Sequence, residues 1–242
     1  MIINQLTVRQ RMTWLAHLFK ACVKQHHKEN IPLFARYLPS GSVVFDVGAH
    51  AGQYSKLFAS LVPSGQVYAF EPGSYARSIL ERSIKFTGKR NVFIKPFGLG
   101  SKVDSYKLNV PIKNSGSLGF GLSFVGETKT SKRRVVSEDI DIQTIDEVAK
   151  ELNLGRLDFI KADIEGFELE MLKGGKETIQ RFQPALYIEV VELHLTRAGG
   201  SVSELLDFLY DLNYQQVELA TGEIIPPNTV ITGNLFFLPK EN

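Results

Sequence analysis

The strongest constraint on this chain is a rhythm, in which short runs of β-branched and aromatic residues alternate with stretches of helical spacing. VVFDV is followed by a helical pattern, QVYAFE by another, then comes NVFIKPF, and later LDFIKAD, a helix, ALYIEV and a further helix. Near-continuous apolar runs of this length describe strands covered on both faces, and such strands pair in parallel through crossover helices. The expectation is an α/β fold with a mostly parallel sheet and helices on both faces. A chain of 242 residues, 43% hydrophobic and 22% charged, is long enough and apolar enough for one such domain and excludes wholesale disorder. After the last crossover helix, near 202–213, strand-like runs at 215–219 and 234–238 are joined by a Gly/Pro-rich connection too short for a covering helix. An antiparallel pair at the end of the sheet is expected there.

Two segments stand outside the rhythm. Residues 1–40 read as a helical extension before a domain at 41–242, with Leu6, Met12, Leu15, Leu18, Phe19, Cys22 and Val23 near one face. Arg9, Arg11, Lys20 and Lys24 interrupt it, so it offers neither a signal peptide nor a membrane span. Residues 101–141 form an insertion with Gly116, Gly119, Gly121 and Gly126 and a basic cluster at Lys129, Lys132, Arg133 and Arg134. Short strands and a mobile loop are expected; a solvated hairpin tip is the default for such a charge run, and a lid is the reading if it lies beside the strand ends. Cys22 stands alone, which excludes internal disulfides and multi-cysteine zinc sites and suits a reducing, cytoplasmic setting. The formal charge of +2 is too balanced for a general grip on nucleic acid or anionic lipid, and local charge must decide partners.

Two strand ends carry the first site motif. VVFDVGAHAG places Asp46, Gly48 and Gly52 where a strand turns into a helix, the position at which glycines let backbone approach a ligand and helix N–H groups face it. The spacing is not that of the dinucleotide fingerprint, and an acid just before the glycines repels a pyrophosphate by roughly 4 kcal/mol at about 4 Å and an effective dielectric near 20. A cationic ligand such as S-adenosylmethionine suits it better. Glu71 ends the next strand, where a carboxylate can accept hydrogen bonds from both hydroxyls of a ribose.

These strings resemble the FkbM-type branch of the S-adenosylmethionine-dependent class I methyltransferases. The resemblance runs from about 42 to 190 through VVFDVGAHAGQYS, VYAFEP, the Thr-x-Asp element at Thr144 and Asp146, DFIKADIEGFELEMLKGG and PALYIEV. It implies a Rossmann-like, seven-stranded, mostly parallel sheet with one antiparallel strand, and O-methylation of a hydroxyl on a sugar, glycan or natural-product scaffold. Carried over, Asp46, Gly48 and Gly52 would hold the methionine part of the cofactor, Glu71 its ribose, and Phe97 and Gly98 its adenine. His50 stands where the family usually has Asn.

KADIEGFE follows the strand at 157–160 and sets Asp163 and Glu165 at the same rim. Methyl transfer is an in-line displacement, so the protein aligns the reactants and takes a proton. Asp163, Glu165 and His194 are the candidate bases, with Glu189 and Glu192 behind them. For Glu165, a helix-start acid is the competing reading. Lys161 is expected to pair with a rim carboxylate, as a functional or as a purely structural ion pair. A divalent cation would suit such carboxylates, and nothing in the spacing demands one, so no metal ligands are assigned. The chain is therefore expected to be an enzyme acting on a small-molecule or glycan hydroxyl, with no nucleic acid or membrane span as partner; a homodimer is compatible with this. A non-catalytic S-adenosylmethionine-fold binding protein is the alternative, and a nicotinamide oxidoreductase comes third.

Overall fold

The computed structural model describes residues 6–111, 124–125, 135–227, 229 and 232–240. The glycines and basic residues of the expected loop or lid, Gly116 to Arg134, lie outside the described residues apart from a two-residue strand. Helix α1 (Val8–Val23), a 3-10 turn (Lys28–Asn30) and α2 (Ile31–Ala35) precede β1 (Val43–Val47). Then follow α3 (Gln53–Leu61), β2 (Gln66–Phe70), α4 (Ser74–Thr87) and β3 (Val92–Lys95). β4 (Gly98–Leu99) precedes the inserted region, which supplies β5 (Asp104–Pro111), β6 (Phe124–Val125) and most of β7 (Val135–Gln143). The second half runs α5 (Ile145–Glu151), β8 (Phe159–Ala162), α6 (Glu168–Lys173), α7 (Lys176–Phe182), β9 (Ala185–Val190), α8 (Glu192–Arg197), α9 (Val202–Asp211), β10 (Tyr214–Val217) and β11 (Gly233–Pro239).

The seven-stranded sheet has the order β10-β11-β9-β8-β1-β2-β3, and β11 runs antiparallel to both of its neighbours while the other pairings are parallel. Strand parity divides the core. Phe45, Val47 and Phe70 join one cluster beneath α5, α6 and α9, and Val44, Val67 and Phe159 join the other beneath α2 and α3. Phe34 of α2 fills the second layer by edge-on contacts with Phe58, Phe159 and Tyr187.

The insertion does more than form short strands. β4, β7, β5 and β6 make a second sheet in that order, with β5 and β7 paired along their whole length. Alternation explains it: Tyr106, Leu108, Ile140 and Ile142 sit on one face and pack together, while charged Lys107, Asp139 and Asp141 project from the other.

Candidate active site

β1, β2 and β8 end at one rim, and the loops leaving them enclose a cavity of about 350 Å³, within the range of small-ligand sites. Each wall comes from a separate part of the chain. After β1 the backbone passes through Gly48 at φ +73°, His50 at φ +52° and Gly52 at φ +81°. Left-handed turns of this kind favour glycine, and at Gly48 space adds a second reason, because a Cβ there would overlap the carbonyl oxygen of Asp163. Gly52 serves packing too; its Cβ would lie 2.6 Å from Leu80 Cδ1 on α4.

The second wall is Glu71. Its carboxyl is buried and accepts from the backbone N–H of His50 and of Gly73, both at 2.8 Å, which locks the β1 turn to the end of β2. Burial outweighs these bonds and pushes its pKa up to about 7. Each oxygen retains a lone-pair direction for a further donor. The third wall is the inserted sheet, whose Leu108, Val110, Ile140 and Ile142 line the cavity. Glu138 also faces it and accepts from Ser74 N at 2.9 Å.

The loop after β8 closes the site. Asp163 and Glu165 both line it. Glu165 has φ +57° and Gly166 φ +111°, and a Cβ on Gly166 would overlap the His194 carbonyl, so this loop is pressed onto α8. There Glu165 meets His194 Nδ1 at 3.5 Å and Arg197 Nη2 at 3.7 Å, while Glu189 reaches the same His194 nitrogen at 3.7 Å. Burial raises the proton affinity of Glu165 against the pull of His194. Burial, reinforced by Asp163 and Glu165, lifts Glu189 to about 7.

Six of the sequence-derived site residues, Gly48, His50, Glu71, Gly98, Asp163 and Glu165, line this one cavity. Four do not. Gly52 lies against α4. Phe97 packs on Phe70 at 5.8 Å, and His194 stands behind Glu165. Asp46 lies beneath the floor, fully buried, because strand parity turns it with Val44 toward α3. There it accepts from Ser55 Oγ at 2.5 Å and faces Lys161 Nζ at 3.6 Å.

Lys161 is the main residue that the motif reading left outside the site. It lies opposite Asp46 in the β1–β8 register, donates to the carbonyls of Val47 and Gly48 at 3.3 and 3.2 Å, and sits 5.3 Å from the Tyr54 ring centre and 3.9 Å from Asp163. Its side chain is buried yet touches the cavity. Its signal was the single basic residue in an otherwise apolar strand, FIKA. The inserted strands were missed as a wall, although the alternation in SEDIDIQ carries the information. Among the described residues no group of three or more His, Cys, Asp or Glu is arranged to hold a metal ion.

Comparison with known proteins shows the family to which this fold belongs. AmbE, the AMB antimetabolite synthetase of Pseudomonas aeruginosa, is 25% identical over 219 residues, covering 76% of this chain; the chain spans only 10% of its length. The 2-O-methyltransferase NoeI of Sinorhizobium fredii is 22% identical over 213 residues, covering 84% of this chain and 85% of its own. A crystal structure from Clostridium thermocellum assigned to the rRNA methylases superposes with a TM-score of 0.50 at 10% identity, over 91% of this chain and 99% of that one, a likeness of fold alone. The Methyltransferase FkbM domain matches residues 46–215, and the chain belongs to that methyltransferase family.

Proposed function

We propose that this chain is an S-adenosylmethionine-dependent O-methyltransferase whose acceptor is a hydroxyl on a sugar, glycan or small natural-product scaffold, and not a nucleic acid. The observation that carries the reading is Glu71. A buried carboxylate at the end of β2, held by two backbone N–H groups and open to the cavity, fits a pair of ribose hydroxyls, whose donated hydrogen bonds would favour its charged form. The cavity's charge fits as well. Glu71, Glu138, Asp163 and Glu165 line it against Lys161 among its Lys and Arg side chains, a balance that favours a cationic ligand over a phosphate.

The Gly48–Gly52 turn lies where it can hold the methionine portion, with Asp46 and Lys161 bracing it from below. Gly98 and the apolar face of the inserted sheet offer an adenine a flat wall. When bound, the cofactor supplies a methyl group on a positively charged sulfur. The chain aligns the acceptor oxygen and accepts its proton. Asp163 and Glu165 are the cavity's carboxylates at the β8 end, and the raised proton affinity of Glu165 suits a group that takes up a proton near neutrality. His194 acts through Glu165 as a positioning residue. The relationship to NoeI favours a hydroxyl acceptor.

The test is calorimetry with S-adenosylhomocysteine followed by transfer of a labelled methyl group to a panel of sugars and hydroxylated small molecules. Binding with label transfer supports the proposal. Binding without transfer to any acceptor favours a non-catalytic binder, and a response to NAD alone overturns the cofactor assignment.

A further inference from the structure

Helix α1 has two faces, and only one of them is covered. Trp14, Ala21 and half-buried Leu18 pack on α4 around Tyr75 and Ile79. Trp14 Nε1 donates to Ser78 Oγ at 2.9 Å, and the Arg82 guanidinium lies 5.0 Å over the Trp14 ring. On the opposite side Val8, Met12, Leu15, Phe19 and Val23 are 56–80% exposed. Their spacing confines them to a stripe roughly 80° wide that runs about 24 Å along the helix. Scattered exposed apolar residues are ordinary; a continuous stripe marks a contact surface.

Charge indicates what the stripe contacts. Every charged residue from 6 to 28 is basic: Arg9, Arg11, Lys20, Lys24 and Lys28. On a helical projection Arg9 and Lys20 border the stripe on one side and Arg11 on the other. The end of α4 adds exposed Arg82, Lys85 and Arg90 around Phe86, which is itself exposed, and no acid occurs between Glu81 and Asp104. Glu81 lies 4.0 Å from Arg77 on its own helix. The whole chain carries only +2, so basic charge is concentrated in these two stretches of the sequence. A second copy docked stripe to stripe would bring like-charged borders together with no acid on α1 to pair them. An anionic lipid surface satisfies both features, since the apolar stripe enters the headgroup–acyl boundary while Lys and Arg reach back to phosphates.

We propose that α1 seats the protein in the plane of an anionic membrane surface, with Val8, Met12, Leu15, Phe19 and Val23 inserted and Arg9, Arg11, Lys20 and Lys24 on lipid phosphates. This is attachment and not a span; among the described residues no helix is long and apolar enough to cross a membrane. Tyr75, covered by α1, also lines the cavity, so the seat adjoins the active site. The inference does not depend on the reaction proposed above.

Co-sedimentation of the full chain with phosphatidylcholine vesicles, with and without phosphatidylglycerol, tests it. Binding to the anionic vesicles should be at least about tenfold tighter and should weaken with added salt. The double variant Met12→Ser/Phe19→Ser should lose that binding with an unchanged melting temperature, because both side chains already face solvent. Lys20→Glu/Lys24→Glu should lose the preference for phosphatidylglycerol. Equal sedimentation with both vesicle types, or with neither, overturns the proposal. So does a native dimer that the Met12→Ser/Phe19→Ser variant converts to a monomer, which would assign the stripe to self-association.

Discussion

Replacing Lys161 by Met probes the electrostatic support beneath the active site. The Asp46–Lys161 pair is almost wholly removed from water, with side chains 0% and 3% exposed. Deleting one partner of a buried pair costs about 3–5 kcal/mol, because the remaining charge keeps its desolvation penalty without its counterion. For a chain of this size that corresponds to a fall in Tm on the order of 10 °C. The pH dependence has a definite sign. Burial already holds the Asp46 carboxyl above the usual carboxylate range, and Lys161 counters that shift; without Lys161 the proton affinity climbs further. A group bound more tightly to its proton in the folded state stabilises most at pH below its unfolded pKa and loses that contribution as pH rises through its folded pKa. The deficit of Lys161→Met should therefore widen between about pH 5 and about pH 8. The Val47 and Gly48 carbonyls lose their donor as well, but a double-mutant cycle with Asp46→Asn cancels that part. Urea unfolding of the four proteins at both pH values should give a coupling energy of about 2 kcal/mol or more at the higher pH. A coupling below about 0.5 kcal/mol, or a deficit that shrinks with rising pH, would refute the claim that this pair braces the site.

Other consequences are equally measurable. Glu71 titrates near 7 in the free protein, and ribose hydroxyls would favour its ionised form, so affinity for S-adenosylhomocysteine should fall up to about tenfold from about pH 8 to about pH 6. Calorimetry on Glu71→Gln should show weaker binding with that pH dependence removed; a native-like pH profile would place the proton elsewhere. Asp163→Asn should lower turnover more than cofactor affinity, and equal losses would move Asp163 into the cofactor contact. Gly166→Ala should destabilise the fold by about 1–3 kcal/mol from its left-handed backbone alone, before any clash with the His194 carbonyl. Chemical unfolding measures this, and a loss under about 0.5 kcal/mol would mean that α8 can retreat.

Much of the architecture was legible because buried parallel strands are written as apolar runs. The runs at β1, β2, β8 and β9 located their strands, and the Gly/Pro-rich connection between β10 and β11, too short for a covering helix, identified the antiparallel end of the sheet. What such runs do not carry is a face. In VVFDV both sides of the strand are apolar, so the letters alone do not say whether Asp46 points to the cavity or to α3; helix packing decides, and it takes the side of Ser55. The same ambiguity left open which carboxylate Lys161 meets from below; it shares the face of Asp46 through their register. The inserted sheet was obscure for a different reason. Its long strands flank a glycine-rich stretch that carries no alternation, so the pairing of Leu108 with Glu138, across a long separation in sequence, had no local marker. The contact of Glu165 with His194 and Arg197 likewise depends on Gly166 allowing the loop after β8 to touch the distant helix α8.

The absence of room at Gly48 couples the two halves of the site. The turn proposed to hold the methyl donor and the carbonyl of a residue proposed to meet the acceptor are in contact, with no side chain between them to absorb a shift. Remodelling the loop at 163–167 to admit a bulkier acceptor would therefore disturb the donor side as well. The inserted sheet meets the cavity through alternating side chains instead, and such a wall can be recut residue by residue. Changes of acceptor preference among related chains should accordingly carry changes on the donor side with them, the turns after β1 and β8 varying only in concert.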